Sequence, residues 1–114
     1  MTSQKVFVFS RDGFGSTDLA ALRHALARKF LSLLLIENQL PAQICFYTDG
    51  VRLCLDDSPV LAELKELESR GVELVICLTC LEALGVRDRV AVGVIGGMGD
   101  ILAALQAADS VVTV

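Results

Sequence analysis

Two thiols stand three residues apart in Cys77-Leu-Thr-Cys80, directly after the apolar run Val72–Ile76. A buried strand there would deliver both sulfurs to the carboxyl end of a sheet, where open α/β folds gather ligands and chemistry. An intracellular pair at this spacing suits redox or sulfur chemistry. A sulfur carrier needs a thiolate. An unperturbed cysteine has a pKa of roughly 8.5, so a helix N-terminus or a nearby cation must favour ionisation. The turn starting near Leu81, and Arg87 or Arg89, are the candidate sources. The second thiol could attack a persulfide on the first, leaving a Cys77–Cys80 disulfide and expelling sulfide, or could guard it against over-oxidation. The plain alternative is packing, since free cysteine often serves as a small apolar residue at the buried end of a strand.

The remaining polar motifs carry less. Zinc in a structural site needs about four ligands, and only Cys45, Cys54 and His24 are left to complete a set, without a matching pair spacing. Cys45 alternates within a strand and is expected in the core. Cys54 is expected to be a spectator or, less simply, a third redox partner. Gly13-Phe14-Gly15 lies between a strand and a helix, where backbone N–H groups can hold an anion. It lacks the third glycine of a dinucleotide loop and the lysine of a P-loop. It is therefore either an anion- or partner-facing loop or a tight turn. His24 is expected to be solvated on the first helix, opposite a leucine stripe. Asp56-Asp57 precede Ser58-Pro59 and fit the favourable charge at a helix start.

The elements that must position the thiols alternate between short β-like runs and helical patterns, the signature of a layered α/β fold. Lys5–Ser10, Ala42–Thr48, Val72–Ile76, Val90–Ile95 and Ser110–Val114 read as strands. Lys5–Ser10 is apolar on both faces and should be central. A helix is expected over 17–38, capped by Ser16 or Thr17, with Leu19, Leu22, Leu26, Phe30, Leu33 and Leu34 as its stripe. Leu31, Leu35 and Ile36 add a second apolar face, which points to an oligomer contact. Ser58-Pro59 opens the next helix, with Leu61, Leu64 and Leu67 inward and Gly71 as its stop. Val51–Leu55 is irregular or a short edge strand, Leu81–Leu84 has room for barely one turn, and Asp100–Ala108 is the last helix.

With 114 residues and no linker or repeat, residues 1–114 form one domain. An apolar fraction of 54% against 21% charged residues excludes disorder. A net charge of −4 and scarce aromatics disfavour nucleic acid. The N-terminal Met1-Thr-Ser-Gln-Lys5 is not followed by a secretory leader, and Phe30–Ile36 is too short to span a bilayer. A cytoplasmic protein with reduced thiols is the expectation.

The order of motifs resembles the DsrE/DsrF-like sulfur-relay family, and within it the DsrE-like domain of YedF-type proteins linked to sulfur and selenium metabolism. The resemblance runs through Gly13-Phe14-Gly15, Asp18-Leu19, Leu40-Pro41, Asp49-Gly50-Val51-Arg52-Leu53, Leu64-Lys65-Glu66-Leu67-Glu68, Gly71-Val72-Glu73, Cys77-x-x-Cys80-Leu81, Val92-Gly93 and Met98. It implies a three-layer α/β/α fold with a mostly parallel sheet of about five strands. It puts the sulfur-accepting role on Cys77 and likens Cys80 to the additional cysteine of YedF-type members. It also implies no cofactor, a sulfur-donor or acceptor protein such as a TusA-like carrier as partner, and a homo-oligomer, with a trimer the natural assembly. Leu78 replaces the usual glycine between the cysteines, and Gly97 and Gly99 replace the asparagine and tyrosine that usually flank Met98. The preceding TusA-like domain of many YedF-type proteins is absent from this sequence, so the donor is expected in trans.

The function expected is thus a small sulfur or selenium relay protein with a persulfide on Cys77 and Cys80 as partner thiol, closer to a carrier than to a high-turnover enzyme. A thioredoxin-like dithiol oxidoreductase is the enzymatic alternative, weakened by the missing aromatic-Cys-Gly-Pro style of loop. A ligand-binding or structural module with incidental cysteines is the third.

Overall fold

β-Branched and aromatic runs that are apolar on both faces demand cover on both sides, which a parallel sheet flanked by helices provides. The computed structural model, which describes residues 4–114, has that arrangement. The strands are β1 (Lys5–Phe9), β2 (Gln43–Phe46), β3 (Glu73–Cys77), β4 (Val94–Gly96) and β5 (Ser110–Thr113), and the helices are α1 (Ala20–Ile36), α2 (Leu61–Ser69), α3 (Leu78–Leu84) and α4 (Met98–Ala107). All strand pairs are parallel, in the order β4-β3-β2-β1-β5. The chain steps outward from β1 to β4 and then returns to the far side of β1. Parallel crossovers are right-handed, so this reversal sends α4 to the face opposite α1. Phe30 of α1 packs edge-on against Phe7 and Phe9 on one face. Across the sheet, α4 lines a cleft with Gln43 and Glu73, which are in register with each other and of opposite parity to Phe7 and Ile44.

The first helix packs through a side that includes Phe30 and Leu34 of its expected stripe but not the other four residues. Ala27, Leu31 and Leu34 are its buried residues. Leu19, Leu22, Leu26 and Leu33 are exposed, as is Ile36 at 77%. The helix is apolar on two sides, and its inward side is the one whose residues meet the Phe7 and Phe9 rings. The expected cap also differs: Leu19 takes the N-cap position without a side-chain hydrogen bond, while Thr17 Oγ1 accepts from the Leu19 N–H at 3.3 Å in a turn before the helix.

Two further differences bear on the site. Of residues 51–55, the first four belong to a 3₁₀ segment, Thr48–Cys54, that buries Gly50, Val51, Leu53 and Cys54. Only Leu55 bridges outward, antiparallel to Val90. The turn expected at Leu81–Leu84 is a helix that begins at Leu78, with Cys77 as its N-cap residue. Cys77-Leu-Thr-Cys80 is therefore the junction of β3 with α3 and not a free loop. Val90 is correspondingly not in β4, which starts only at Val94. Among the described residues no helix is long and apolar enough to cross a membrane; Met1, Thr2 and Ser3 of the N-terminal reading lie outside them.

Candidate functional site

The carboxyl ends of β2 and β3 lie side by side, with Phe46 in register with Ile76, so the residues leaving both strands meet at one edge of the sheet. Cys77 is the last residue of β3 and has the parity of Val75, facing the α4 side. It is 1% exposed, so the sulfur expected to stand open at the rim is enclosed. The chain then enters α3 at once, which swings Cys80 out on the first helical turn, where it is half-buried. Cys80 is the accessible sulfur of the pair. Cys45 and Cys54 are wholly buried.

The backbone leaving β2 supplies what holds Cys80. Thr48 has a φ of +49°, a region that a β-branched residue rarely enters. Its hydroxyl is anchored by hydrogen bonding to the Ser10 carbonyl at the end of β1. In this turned conformation the Thr48 N–H, no longer needed by the ladder, donates to Cys80 Sγ at 3.0 Å. Strain of this kind persists only where surrounding structure enforces it, and it clusters at functional sites. Thr48 was not legible as a site residue, because Thr48-Asp49-Gly50 reads simply as the turn ending a strand.

The electrostatics of Cys80 are a balance. Burial and a hydrogen bond to Cys77 push its thiol up, and the Thr48 N–H pulls it down, with the net direction up. The expected cations do not help. Arg89 is held by Asp56 at 3.0 Å and Asp57 at 2.9 Å, and Arg87 lies 3.8 Å from Glu82. Asp56 and Asp57 thus fix Arg89 in place of serving only a helix start. Burial pushes the Cys45 thiol up to about 11, and raises that of Cys54 still more clearly. At neutral pH Cys45, Cys54 and Cys80 therefore rest protonated. We expect the alkylation rate of Cys80 by iodoacetamide to keep climbing steeply past pH 9, because below a thiol's pKa the thiolate fraction rises about tenfold per pH unit. A rate that levels off by about pH 9.5 would show an ordinary thiol, and a plateau below pH 8 an activated one.

Gly13-Phe14-Gly15 is tied to α1. The Gly13 N–H donates to the Arg11 carbonyl at 2.8 Å and the Phe14 N–H to the Arg23 carbonyl at 3.1 Å. Phe14 rests on Phe30 with ring centroids 5.2 Å apart. A Cβ at Gly13 would lie 2.4 Å from the Arg23 Cβ, so close approach of loop and helix accounts for this glycine. Those two N–H groups are committed, which leaves Gly15, with open space around it, as the part of the loop able to face a partner. His24 is only 29% exposed, with Nε2 3.3 Å from Asp12 Oδ1. It lies opposite the leucine stripe as expected, but that stripe faces outward, so His24 faces in. It lines a cavity of about 150 Å³ together with Asp12, Arg52, Asp57 and Arg89. Among the described residues no three His, Cys, Asp or Glu side chains converge as a metal site would require.

The DsrE/DsrF-like family model matches residues 4–114. No curated protein sequence matches the chain. Among solved structures, YchN from E. coli superposes with a TM-score of 0.70 at 20% identity, covering 97% of this chain and 99% of its own. MTH1491 from Methanobacterium thermoautotrophicum, a protein of unknown function, gives 0.73 at 21% identity over 99% and 100%. BT1422 from Bacteroides thetaiotaomicron, also of unknown function, gives 0.63 at 16% identity over 97% and 95%. At these identities the likeness is one of fold.

Proposed function

The chain belongs to the DsrE/DsrF-like family, and from that premise we propose that it is a sulfur-relay carrier that holds a persulfide on Cys80, with Cys77 as partner thiol. The observation that carries this reading is a half-buried thiol at the carboxyl edge of the sheet, accepting the N–H of a strained residue just past the end of the adjacent strand. The accepting role that the family resemblance places on Cys77 passes to its neighbour, because a sulfur 1% exposed gives a donor protein no line of attack.

In the first step the Cys80 thiolate attacks the terminal sulfur of a donor persulfide. A new S–S bond forms on Cys80, the donor's S–S bond breaks, and the donor leaves as a thiolate. Delivery then takes one of two routes. An acceptor thiolate can take the terminal sulfur and return Cys80 as a thiolate. Alternatively, Cys77 gives up its proton and attacks the inner sulfur, forming the Cys77–Cys80 disulfide and expelling sulfide, after which an external dithiol must reduce the protein. A thiol that rests protonated is sheltered from adventitious oxidation, so ionisation is assigned to the docked complex with the donor. The partner is a sulfur carrier of TusA-like type, and the setting is the cytoplasm. The YedF-type likeness makes selenium a second candidate cargo.

The test is to incubate the reduced protein with a persulfidated donor protein and to map mass additions by peptide. We expect one added sulfur on the peptide bearing Cys80. A chain that stays unmodified while the donor remains loaded would overturn the reading. Rapid formation of a Cys77–Cys80 disulfide with no sulfur adduct would favour a dithiol oxidoreductase instead, an outcome made chemically reasonable by the spacing of the two thiols across the first turn of α3.

A further inference from the structure

The cavity of about 150 Å³ beside His24 is lined by two sets of polar groups. Asp12 and His24 reach it from the loop after β1 and from α1; Arg52, Asp57, Ser58 and Arg89 reach it from the segments on either side of Leu55 and from the connection after α3. Backbone bonds fasten both sets. Arg28 Nη2 donates to the Pro59 carbonyl and holds α1 to the entry of α2, while the Asp56 N–H donates to the Arg89 carbonyl at 2.9 Å and Leu55 bridges Val90. The polar side chains themselves are incompletely used. His24 Nε2 is buried without a hydrogen-bond partner among the described residues, although Asp12 Oδ1 lies 3.3 Å away. The two are close but out of line for a bond. Among the described residues Arg52 meets Asp49 through Nε at 3.6 Å, and Arg89 commits Nε and Nη2 to Asp56 and Asp57. Both Nη groups of Arg52 and Nη1 of Arg89 are left as donors, and the Ser58 hydroxyl, which accepts from the Val60 N–H at 3.2 Å, keeps its proton to give.

From this pattern we infer that the cavity binds a small zwitterion, an α-amino acid with a short side chain. Its carboxylate sits on Arg52 and Arg89, and its ammonium between Asp12 and His24. Charge argues for both ends. One set is negative through Asp12; the other, with two guanidiniums against the single carboxylate of Asp57, is positive. Signs set apart in this way suit neither a simple anion nor a simple cation. A guanidinium fork matches a carboxylate in parallel hydrogen bonds. An ammonium has three donors, enough to serve the Asp12 carboxylate and, with the ring proton on Nδ1, the lone pair of His24 Nε2. Asp49 and Asp56, outside the lining, hold the two guanidiniums in position and keep the affinity modest. Leu55 and Pro59 supply apolar lining for the side chain. Size narrows the class: the cavity has room for about five waters at ~30 Å³ each, and drug-sized ligands need ~300–1,000 Å³. An amino acid of about six or seven non-hydrogen atoms fits that room.

Chemical-shift titration of the isotope-labelled full chain, with L-alanine and L-serine as probes, tests this. We expect saturable shifts at the amides of Asp12, Arg52, Ser58 and Arg89, with a Kd of about 1 mM or tighter. Propionate, which lacks the ammonium, and ethylamine, which lacks the carboxylate, should each bind at least about tenfold more weakly than alanine, because either leaves one set of groups unserved. Arg52→Gln and Asp12→Asn should each weaken alanine about tenfold or more, with circular dichroism matching the parent. The analogue series needs no variant and stands by itself. Alanine and serine shifts that stay linear to about 20 mM, propionate or ethylamine binding as tightly as alanine, or an affinity unmoved by Arg52→Gln would each overturn the site. The cavity shares no side chain with the Cys80 site, so amino-acid binding and sulfur loading fail separately.

Discussion

Cys80→Ser is expected to lose the sulfur adduct completely, whereas Cys77→Ala is expected to keep it. The asymmetry follows from burial. Cys45, Cys54 and Cys77 are enclosed, and burial raises the thiols of Cys45 and Cys54, so neither offers a thiolate to a donor. Removing the half-exposed sulfur leaves no replacement. Removing Cys77 deletes one buried atom at the start of α3, at a cost of about 1 kcal/mol in stability, and leaves the Thr48 N–H aimed at Cys80. Its effect should fall on release. With no internal thiol to attack the persulfide, spontaneous sulfide release should slow by on the order of a hundredfold or more, because an intramolecular attack gives way to a bimolecular one. Alanine is the better choice here, since a serine hydroxyl in that enclosed position adds a desolvation cost of about 1–3 kcal/mol. Intact-mass spectrometry after loading, followed by timed sulfide assay, measures both effects. An adduct of equal yield in Cys80→Ser would place the carrier atom elsewhere.

The sheet was legible in the sequence because its strands are apolar on both faces and bounded by turn residues, so Val6–Phe9, Ile44–Phe46 and Leu74–Ile76 have no other way to be buried. The side of α1 that faces the core was not. Periodicity shows that a helix has an apolar side, but α1 has two. The choice between Leu31 with Leu34 and Leu22 with Leu33 is made by the phenylalanine rings of β1, which are distant in sequence. The 3₁₀ segment was hidden for a related reason: Val51, Leu53 and Leu55 alternate with Arg52 and Cys54 as an edge strand would, yet Cys54 is as buried as Leu53 and Leu55. The thiol pair was visible by spacing alone. Which sulfur is open was not, because that depends on α3 starting immediately after β3, with no glycine, proline or capping side chain at Leu78 to announce it. Thr48 escaped entirely, since what it contributes is a backbone N–H, and a backbone group leaves no mark on residue type.

Gly50→Ala should be the most destabilising small substitution at the site. The φ of Gly50 is not in the left-handed region; what the residue provides is the absence of a side chain. A Cβ there would lie 1.9 Å from the Phe9 carbonyl oxygen and 2.6 Å from the Phe9 carbonyl carbon, both backbone atoms of the interior strand β1. Neither side can yield cheaply. The same Phe9 oxygen accepts the Tyr47 N–H at 3.2 Å, the Gly50 N–H donates to the Tyr47 carbonyl at 3.0 Å, and the Phe9 ring stacks on Phe46 at 5.6 Å. A methyl group must therefore lift the 3₁₀ segment away from β1. We expect a loss of about 3 kcal/mol or more, seen as a fall in melting temperature of about 10–20 °C. The same displacement moves Thr48, whose hydroxyl is anchored to Ser10 and whose N–H is anchored to Cys80. Cys80 alkylation should change with the melting temperature as one event. Gly99→Ala is the control with opposite sign: it lies exposed in α4 with open space where the Cβ would be, and replacing a helical glycine with alanine should stabilise by about 0.5–1 kcal/mol. If Gly50→Ala melts within a degree or two of the parent, the close contact between the end of β1 and the 3₁₀ segment does not exist in solution, and the support for the Thr48 to Cys80 hydrogen bond goes with it.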